Sequence, residues 1–280
     1  MDLPTLGGAP IPGLADYLRT AVRLHPAEGS PGVRESHVGG PLLWPAGEPW
    51  PTCPVTWPPR AGASDDQWAG GHPADEPVPL MVGAAQFFRP DFPELPFPDG
   101  ADVLQVLFCP TLHNSEHHYG PAVRLVWRAA AEVTVVAEPP PEPEEAEPEL
   151  ILEARALRPC RFPELPYTVD IPAQDRDSMG FPADHAAVDW PELGQFSKIG
   201  GWTSWYSADP WQLDCGECGE RLRQTLAFAS QEDERPCGCE IGLGGLGEDA
   251  ETGLFVSDSG VLNVFLCPAD VRHPFKVRID

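Results

Sequence analysis

The chain has 280 residues, of which 42% are hydrophobic, and its formal net charge is −25. Enough apolar residues are present for one large domain or two of ordinary size. The charge excludes nucleic acid and anionic membrane surfaces as expected partners, because both would repel so acidic a chain. We expect the charge to serve solubility, with a basic protein partner as the alternative reading.

The composition predicts a β-rich fold of the α+β class, with many turns and few short helices. Its 36 prolines and 27 glycines interrupt long helices. No apolar run approaches the roughly 20 residues of a membrane-spanning helix, and residues 1–12 lack the features of a secretory signal. Eight cysteines without such a signal predict a cytoplasmic location, where clustered thiols usually bind metal or carry out redox chemistry.

The predicted elements of the first half are one helix and several strands. Residues 14–24 place their apolar side chains along one side of a helix. Apolar runs predict strands at residues 80–88, 102–109, 122–127 and 132–137, the last two as a pair. Residues 138–149 read EPPPEPEEAEPE, and proline and like charges extend such a segment into a linker or an exposed loop.

Two blocks of sequence recur in the same order. Residues 36–40 read SHVGG and residues 197–201 read SKIGG, and two tryptophans and a cysteine follow each block. Further on, VLQVLFCP at 103–110 corresponds to VLNVFLCP at 261–268. We therefore interpret the chain as an internal duplication. The division is a first β-rich repeat with an N-terminal helix at 1–136, an acidic segment at 137–150 and a second repeat with a cysteine cluster at 151–280, packed as one globular unit.

The repeated residues have a physical reading. Gly-Gly permits a positive φ or a close backbone approach at a tight turn. The run of Val and Leu before each Cys-Pro is apolar throughout, so it predicts a strand that is covered on both faces.

The repeated blocks also resemble a known family. SKIGG at 197–201, GGPLLWP at 39–45, Gln86-Phe87 at the end of a strand and the run at 103–110 resemble the YwqG-like family, a bacterial family of unknown function. Residues 198–267 are similar to programmed-cell-death-2-type proteins as well. The latter are associated with escorting a ribosomal protein, so this resemblance implies protein binding. The chain departs from them after Cys267, where Pro-Ala-Asp270 stands in place of a second cysteine.

The sequence Cys215-Gly-Glu-Cys218-Gly predicts one half of a zinc site. Two thiolates at this spacing on a turn form a knuckle, and tetrahedral coordination needs two further ligands. Spacing favours Cys237 and Cys239, whereas the repeat favours Cys267 with one of those cysteines, Asp270 or His273. The predicted ligand set for a structural zinc ion is Cys215, Cys218, Cys237, Cys239 and Cys267. The alternatives are reduced thiols or a redox pair, although the motif does not begin a helix as redox cysteines usually do.

The first half carries a related but incomplete set. Cys53, Cys109 and His113 occupy comparable places, but the second cysteine of a knuckle is missing. We expect ordinary buried cysteines here, with a degenerate metal site as the alternative.

His113-Asn-Ser-Glu116-His117 matches the pattern of an inverted zinc protease. That mechanism needs both histidines on one face of a helix, and the flanking prolines leave barely two turns. The pattern therefore favours a polar hairpin loop, in which His118 adds to adventitious metal binding.

The function that these observations favour is a non-enzymatic protein-interaction or chaperone-like module with a structural zinc site. Its partner is an unidentified protein, for which basic charge is one option. The alternative is a metal-dependent hydrolase that uses the cluster from His113 to His118.

Overall fold

A computed structural model of the chain describes residues 3–6, 8–54, 56–57, 72–73, 77–115, 118–141, 143, 146–181, 190, 193–205, 213–232, 254 and 260–280. Within these ranges the protein is β-rich and is built on two six-stranded antiparallel sheets. The helical elements described are α1 (Ala173–Met179) and 3-10 helices at Leu14–Tyr17, Ala130–Glu132, Pro148–Leu150 and Thr168–Asp170. None of the helices in the described part of the chain is long and apolar enough to cross a membrane.

Two pairs of very short strands stand outside the large sheets. β1 (Thr5–Leu6) pairs with β2 (Ala9–Pro10) in antiparallel fashion. Further along the chain, β6 (Thr56–Trp57) pairs with β7 (His72–Pro73) in parallel fashion.

The large sheets are named sheet I and sheet II. The strands of sheet I are β4 (Pro26–Glu28), β5 (His37–Val38), β8 (Val82–Phe88), β9 (Val103–Ser115), β10 (His118–Arg128) and β11 (Arg155–Leu157). Those of sheet II are β3 (Arg19–Arg23), β12 (Cys160–Glu164), β13 (Lys198–Gly200), β14 (Arg223–Ala229), β15 (Val261–Leu266) and β16 (Lys276–Ile279). The strand order is β10-β9-β8-β5-β11-β4 in sheet I and β12-β3-β13-β14-β15-β16 in sheet II.

The strand that carries Gly-Gly occupies the same place in both sheets. On one side, β5 is followed by β8, β9 and β10, and β13 is followed by β14, β15 and β16. On the other side, the first half and the second half exchange a strand. β5 pairs with β11 from the second half, whereas β13 pairs with β3 from the first half.

The main hydrophobic core draws on both sheets. It includes Val22 and Phe108 of the first half together with Ile199 and Phe228 of the second. The rings of Phe108 and Phe228 meet edge to face, with their centroids 5.7 Å apart. Every residue of β15 is buried. The prediction of a strand covered on both faces is therefore confirmed for this run.

The Gly-Gly pairs adopt the left-handed conformation that the sequence predicts. The φ angles are 63° and 70° at Gly39 and Gly40, and 69° and 71° at Gly200 and Gly201. A Cβ atom on Gly39 would lie 2.3 Å from the carbonyl oxygen of Glu153, which precedes β11. Glycine is therefore required both by the backbone angle and by the close approach of the neighbouring chain.

The predicted helix at 14–24 is wrong beyond its first turn. The chain forms the 3-10 helix Leu14–Tyr17 and then β3, which pairs with β12 on one side and β13 on the other. This two-sided pairing gives the backbone of the strand its hydrogen bonds and places Val22 and Leu24 in the core. Tertiary pairing therefore outweighs the helical spacing of the apolar residues.

The other predicted strands of the first half are mostly confirmed. β8 and β9 cover the runs at 80–88 and 102–109, and β10 covers 122–127. The strand at 132–137, which was expected to pair with 122–127, is wrong. Its residues contact the tryptophan block instead, because the N–H of Ala137 donates to the carbonyl of Trp44 and Val136 forms a single bridge with Pro45.

Candidate metal centres

Four side chains of the second half converge beside the end of β15 in sheet II. The ligand atoms of Cys215, Cys218, Cys267 and His273 all lie within 4.8 Å of one another, and we call this group the second-half cluster. Its closest measured separations are 3.4 Å between the Sγ atoms of Cys218 and Cys267, and 3.6 Å between Sγ of Cys215 and Nδ1 of His273. Zinc bonds of about 2.3 Å to sulfur and 2.0 Å to nitrogen put tetrahedral ligands about 3.3–3.8 Å apart. The two separations have the size that a zinc site requires.

The first two ligands stand on a short hairpin. The N–H of Leu222 donates to the carbonyl of Leu213 at 2.8 Å, and that of Cys215 donates to the carbonyl of Glu220 at the same distance. Gly219 closes the turn with a φ of 76° and donates to the carbonyl of Cys215. This turn brings the two thiols of the Cys-x-x-Cys sequence to the same end of the hairpin.

The other two ligands follow the end of β15. Cys267 comes directly after the strand, and a turn in which the N–H of His273 donates to the carbonyl of Asp270 returns the chain to the cluster. The Asp270 carboxylate does not join the group. It accepts hydrogen bonds from the backbone and the guanidinium of Arg272.

The structure brings together three of the five cysteines that the sequence predicts as ligands, and His273 completes the group. Cys237 and Cys239 lie outside the described residues. His273 is one of the alternatives that spacing and repeat left open, and no pattern in the sequence singles it out from Asp270.

The thiols of the second-half cluster differ in pKa. Burial opposes ionisation of Cys267, but the backbone N–H groups of Asp270 and Ala269 and the ring of His273 outweigh it and lower the pKa of this thiol. The same contact with Cys267 raises the pKa of His273. Although the Glu220 backbone favours its thiolate, burial and the neighbouring thiols raise the pKa of Cys218 to about 11. A divalent cation would replace the thiol protons and allow all the thiols to ionise.

A second group of ligand atoms lies in the first half. Cys53, His72, Cys109 and His113 also offer one atom each within 4.8 Å of the others, and we call them the first-half cluster. Sγ of Cys53 lies 3.5 Å from Nε2 of His113, and Nε2 of His72 lies 3.2 Å from Sγ of Cys109. Both cysteines and His113 are buried, and His72 is partly exposed. Sequence reasoning named three of these residues but missed His72, since the residue belongs to no motif.

Separate elements position the first-half cluster. Cys109 and His113 both stand on β9, on either side of an irregularity in its pairing with β10. The segment before Cys53 runs alongside the start of β8, and the N–H of Cys53 donates to the carbonyl of Pro79 at 3.1 Å. A hydrogen bond with Cys53, helped by His113 and Thr111, lowers the pKa of Cys109 against the effect of burial.

The arrangement of the histidines around residues 113–118 does not match a zinc protease. His113 and His118 stand on β9 and β10, where Ser115 pairs with His118 across a hairpin. Glu116 and His117 of the pattern lie outside the described residues. Because His113 stands on a strand and not on a helix, it shares no helical face with another histidine. Its ring contacts Cys53 instead.

Comparison of the chain with protein-family models gives no match, and comparison with curated proteins gives none either. The fold and the two clusters define a β-rich protein with two groups of cysteine and histidine that could each hold a metal ion.

Proposed function

We propose that the chain is a non-enzymatic protein-interaction or chaperone-like module whose second half is stabilised by a structural zinc ion. One observation carries this proposal. Cys215, Cys218, Cys267 and His273 are four protein ligands, and four ligands complete a tetrahedral shell. Catalytic zinc sites keep one position open for water or substrate, whereas closed sites are structural.

The ion would join the knuckle hairpin to the segment that follows β15. The knuckle hairpin and the end of β15 meet in a small cluster of buried residues that is separate from the main core. Its members are Leu213, Cys215, Leu222, Phe265 and Cys267. Two of these five, Cys215 and Cys267, are candidate ligands, so metal coordination would add to the packing between the hairpin and the end of β15.

The proposed duplication rests on the fold as well as on the sequence blocks, whereas the resemblance to the YwqG-like family rests on the blocks alone. The strand order around Gly-Gly is the same in both sheets. The pairing of β8 with β9 shifts register between Gly83 and Ala85, and that of β14 with β15 shifts between Gln224 and Leu226. Two sheets with the same order and a corresponding bulge support descent from one duplicated unit.

A protein partner suits the charge of this module better than a nucleic acid does. The net charge of −25 attracts a basic partner at long range and repels phosphate. The resemblance of residues 198–267 to programmed-cell-death-2-type proteins supports the same class of function.

The metal part of the proposal is tested by the Cys218→Ser variant of the full chain. We expect it to contain one zinc ion less per molecule than the native protein. If the free zinc concentration is about 1,000 times the Kd of the native site, the variant should lose about 4 kcal/mol of unfolding free energy. Metal analysis and denaturant unfolding measure the two quantities.

Two control variants sharpen this test. Cys160→Ser alters a buried cysteine that belongs to neither cluster, and it should keep the full metal content. Cys237→Ser should keep it too if His273 is the fourth ligand. Unchanged zinc content in Cys218→Ser would contradict the proposed site.

The interaction part is tested by crosslinking in the native host. A partner captured by the native chain and by Cys160→Ser, but not by Cys218→Ser, supports the module. Hydrolysis of a substrate that His117→Ala abolishes, with zinc content and stability unchanged, would instead establish the hydrolase.

A further inference from the structure

We propose that the first-half cluster holds a second zinc ion, with Cys53, His72, Cys109 and His113 as its ligands. The donor set is the first reason. Two thiols and two imidazoles are a standard combination for structural zinc, and the four atoms lie within 4.8 Å of one another. The S···N separations of 3.5 Å and 3.2 Å are close to those expected between ligands that share one zinc ion.

The burial of these groups is the second reason. Cys53, Cys109 and His113 are 3%, 0% and 4% exposed, which places a histidine and two thiols in the interior of sheet I. A buried imidazole is costly unless its nitrogens are satisfied. Nδ1 of His113 has no hydrogen-bond partner, and its Nε2 contacts sulfur alone among the described residues. A metal bond at Nε2 would offset this cost, which weak S···H–N contacts do not.

The position of the cluster is an independent reason. Cys53 follows the first Gly-Gly and tryptophan block, as Cys215 follows the second. Cys109 ends the first Val-Leu run, as Cys267 ends the second. The two sheets therefore bring the same pair of cysteines together at the same place, and in each case two further ligands complete a set of four.

The remaining ligands differ between the two halves. His72 contacts Cys109 as Cys218 contacts Cys267, and His113 contacts Cys53 as His273 contacts Cys215. A search for a second Cys-x-x-Cys therefore fails in the first half, although the site is complete in space. The ion would fasten both ends of residues 54–71 to β9, and closing a segment of this length restricts the unfolded chain.

The two ions are expected to differ in exchange rate. Three ligands of the first-half cluster are buried, whereas Cys218 of the other cluster is exposed. A chelator therefore reaches the second-half ion first.

Metal content of the full chain tests the inference. We expect two zinc ions per native molecule, one in His72→Ala, one in Cys218→Ser and none in the variant that combines both changes. His72 is the most exposed of the four ligands, so its replacement disturbs the core least. His118→Ala is the matched control, because it removes a histidine of β10 that is not one of the four proposed ligands, and it should leave two ions.

Cobalt substitution supplies a readout that identifies the ligands. The first-half site offers two thiolates and the second-half site offers three. His72→Ala retains only the second-half ion, and Cys218→Ser retains only the first-half ion. The sulfur-to-cobalt charge-transfer band should therefore be stronger per ion in His72→Ala than in Cys218→Ser. One zinc per native molecule, retained in His72→Ala and lost in Cys218→Ser, would overturn this inference and leave the proposed second-half site standing. Loss of metal from His118→Ala would overturn it too, since the ligand would then be His118.

Discussion

The residue two positions before each Gly-Gly shows how one position is stabilised by two different side chains. Lys198 is buried and donates to the carbonyl of Trp202 at 2.6 Å, four residues on, while its Nζ pairs with both oxygens of Glu164 at 2.8 Å and 2.9 Å. His37 is buried at the corresponding position and its Nε2 bonds the carbonyl of Pro41, again four residues on. Burial lowers the pKa of His37, so the first half uses a neutral ring where the second uses an ion pair.

Breaking that ion pair should be costly. In Lys198→Met the Glu164 carboxylate stays buried at 4% exposure without its cation, and we expect a loss of about 3–5 kcal/mol of unfolding free energy. Denaturant unfolding measures the loss. Lys276→Met is the control, because this second lysine is exposed on β16 and its replacement should change stability by less than about 0.5 kcal/mol. Similar effects of the two variants would show that the buried pair does not stabilise sheet II.

Strands from both halves of the chain meet at the Gly-Gly turns. Each turn ends a short strand that is flanked by a strand of its own half and by a strand exchanged from the other half. Close approach of the exchanged chain, rather than the turn alone, explains why a side chain cannot be accommodated there. At Gly39 the atoms in the way are the backbone of residues 152 and 153, which cannot move aside as a flexible side chain can.

Gly39→Ala should therefore weaken the pairing of the exchanged strand β11 with β5. The left-handed φ of 63° and the contact with the backbone each cost about 1–3 kcal/mol, so we expect a total loss of about 2–6 kcal/mol. Thermal or denaturant unfolding measures it. Gly47→Ala is the matched control, because a Cβ there meets no atom within 4 Å, and its stability should equal that of the native chain. A stable Gly39→Ala protein would mean that β11 can shift away from β5.

At the scale of the whole molecule, the exchanged strands make the two halves interdependent. Sheet II contains β3 from the start of the chain, and sheet I contains β11 from beyond the acidic segment. The main core is common to both sheets. Neither half can form its six-stranded sheet from its own residues, although the acidic segment that connects them is rich in proline and charge.

Cutting the acidic segment should leave the halves together. A protease site placed within residues 142–145 should give two fragments that co-elute in native gel filtration and separate in denaturant. Each fragment expressed alone should lack the near-ultraviolet circular dichroism of packed tryptophans. Separation of the cut fragments without denaturant would contradict the exchange of strands.

Much of the fold could be read from local patterns. The apolar runs of β8, β9 and β15 predict their strands, because a chain buried on both faces must be apolar throughout. Gly-Gly predicts its turn from backbone freedom alone. Cys215 and Cys218 are recognisable as a knuckle because both cysteines lie within four consecutive residues. The strand β3 could not be read in this way, since its partners β12 and β13 come from the other half of the chain.

The sequence by itself determined the β-rich class, the repeated blocks and one half of one metal site, since each depends on residues close together in the chain. The tertiary structure decided which residues complete the two clusters. His72 and His273 carry no local signal, and they became candidate ligands because the fold brings distant segments to Cys109 in one half and to Cys267 in the other. It also decided that residues 19–23 form a strand, because hydrogen bonds to two strands from the other half outweigh a helical spacing of apolar residues.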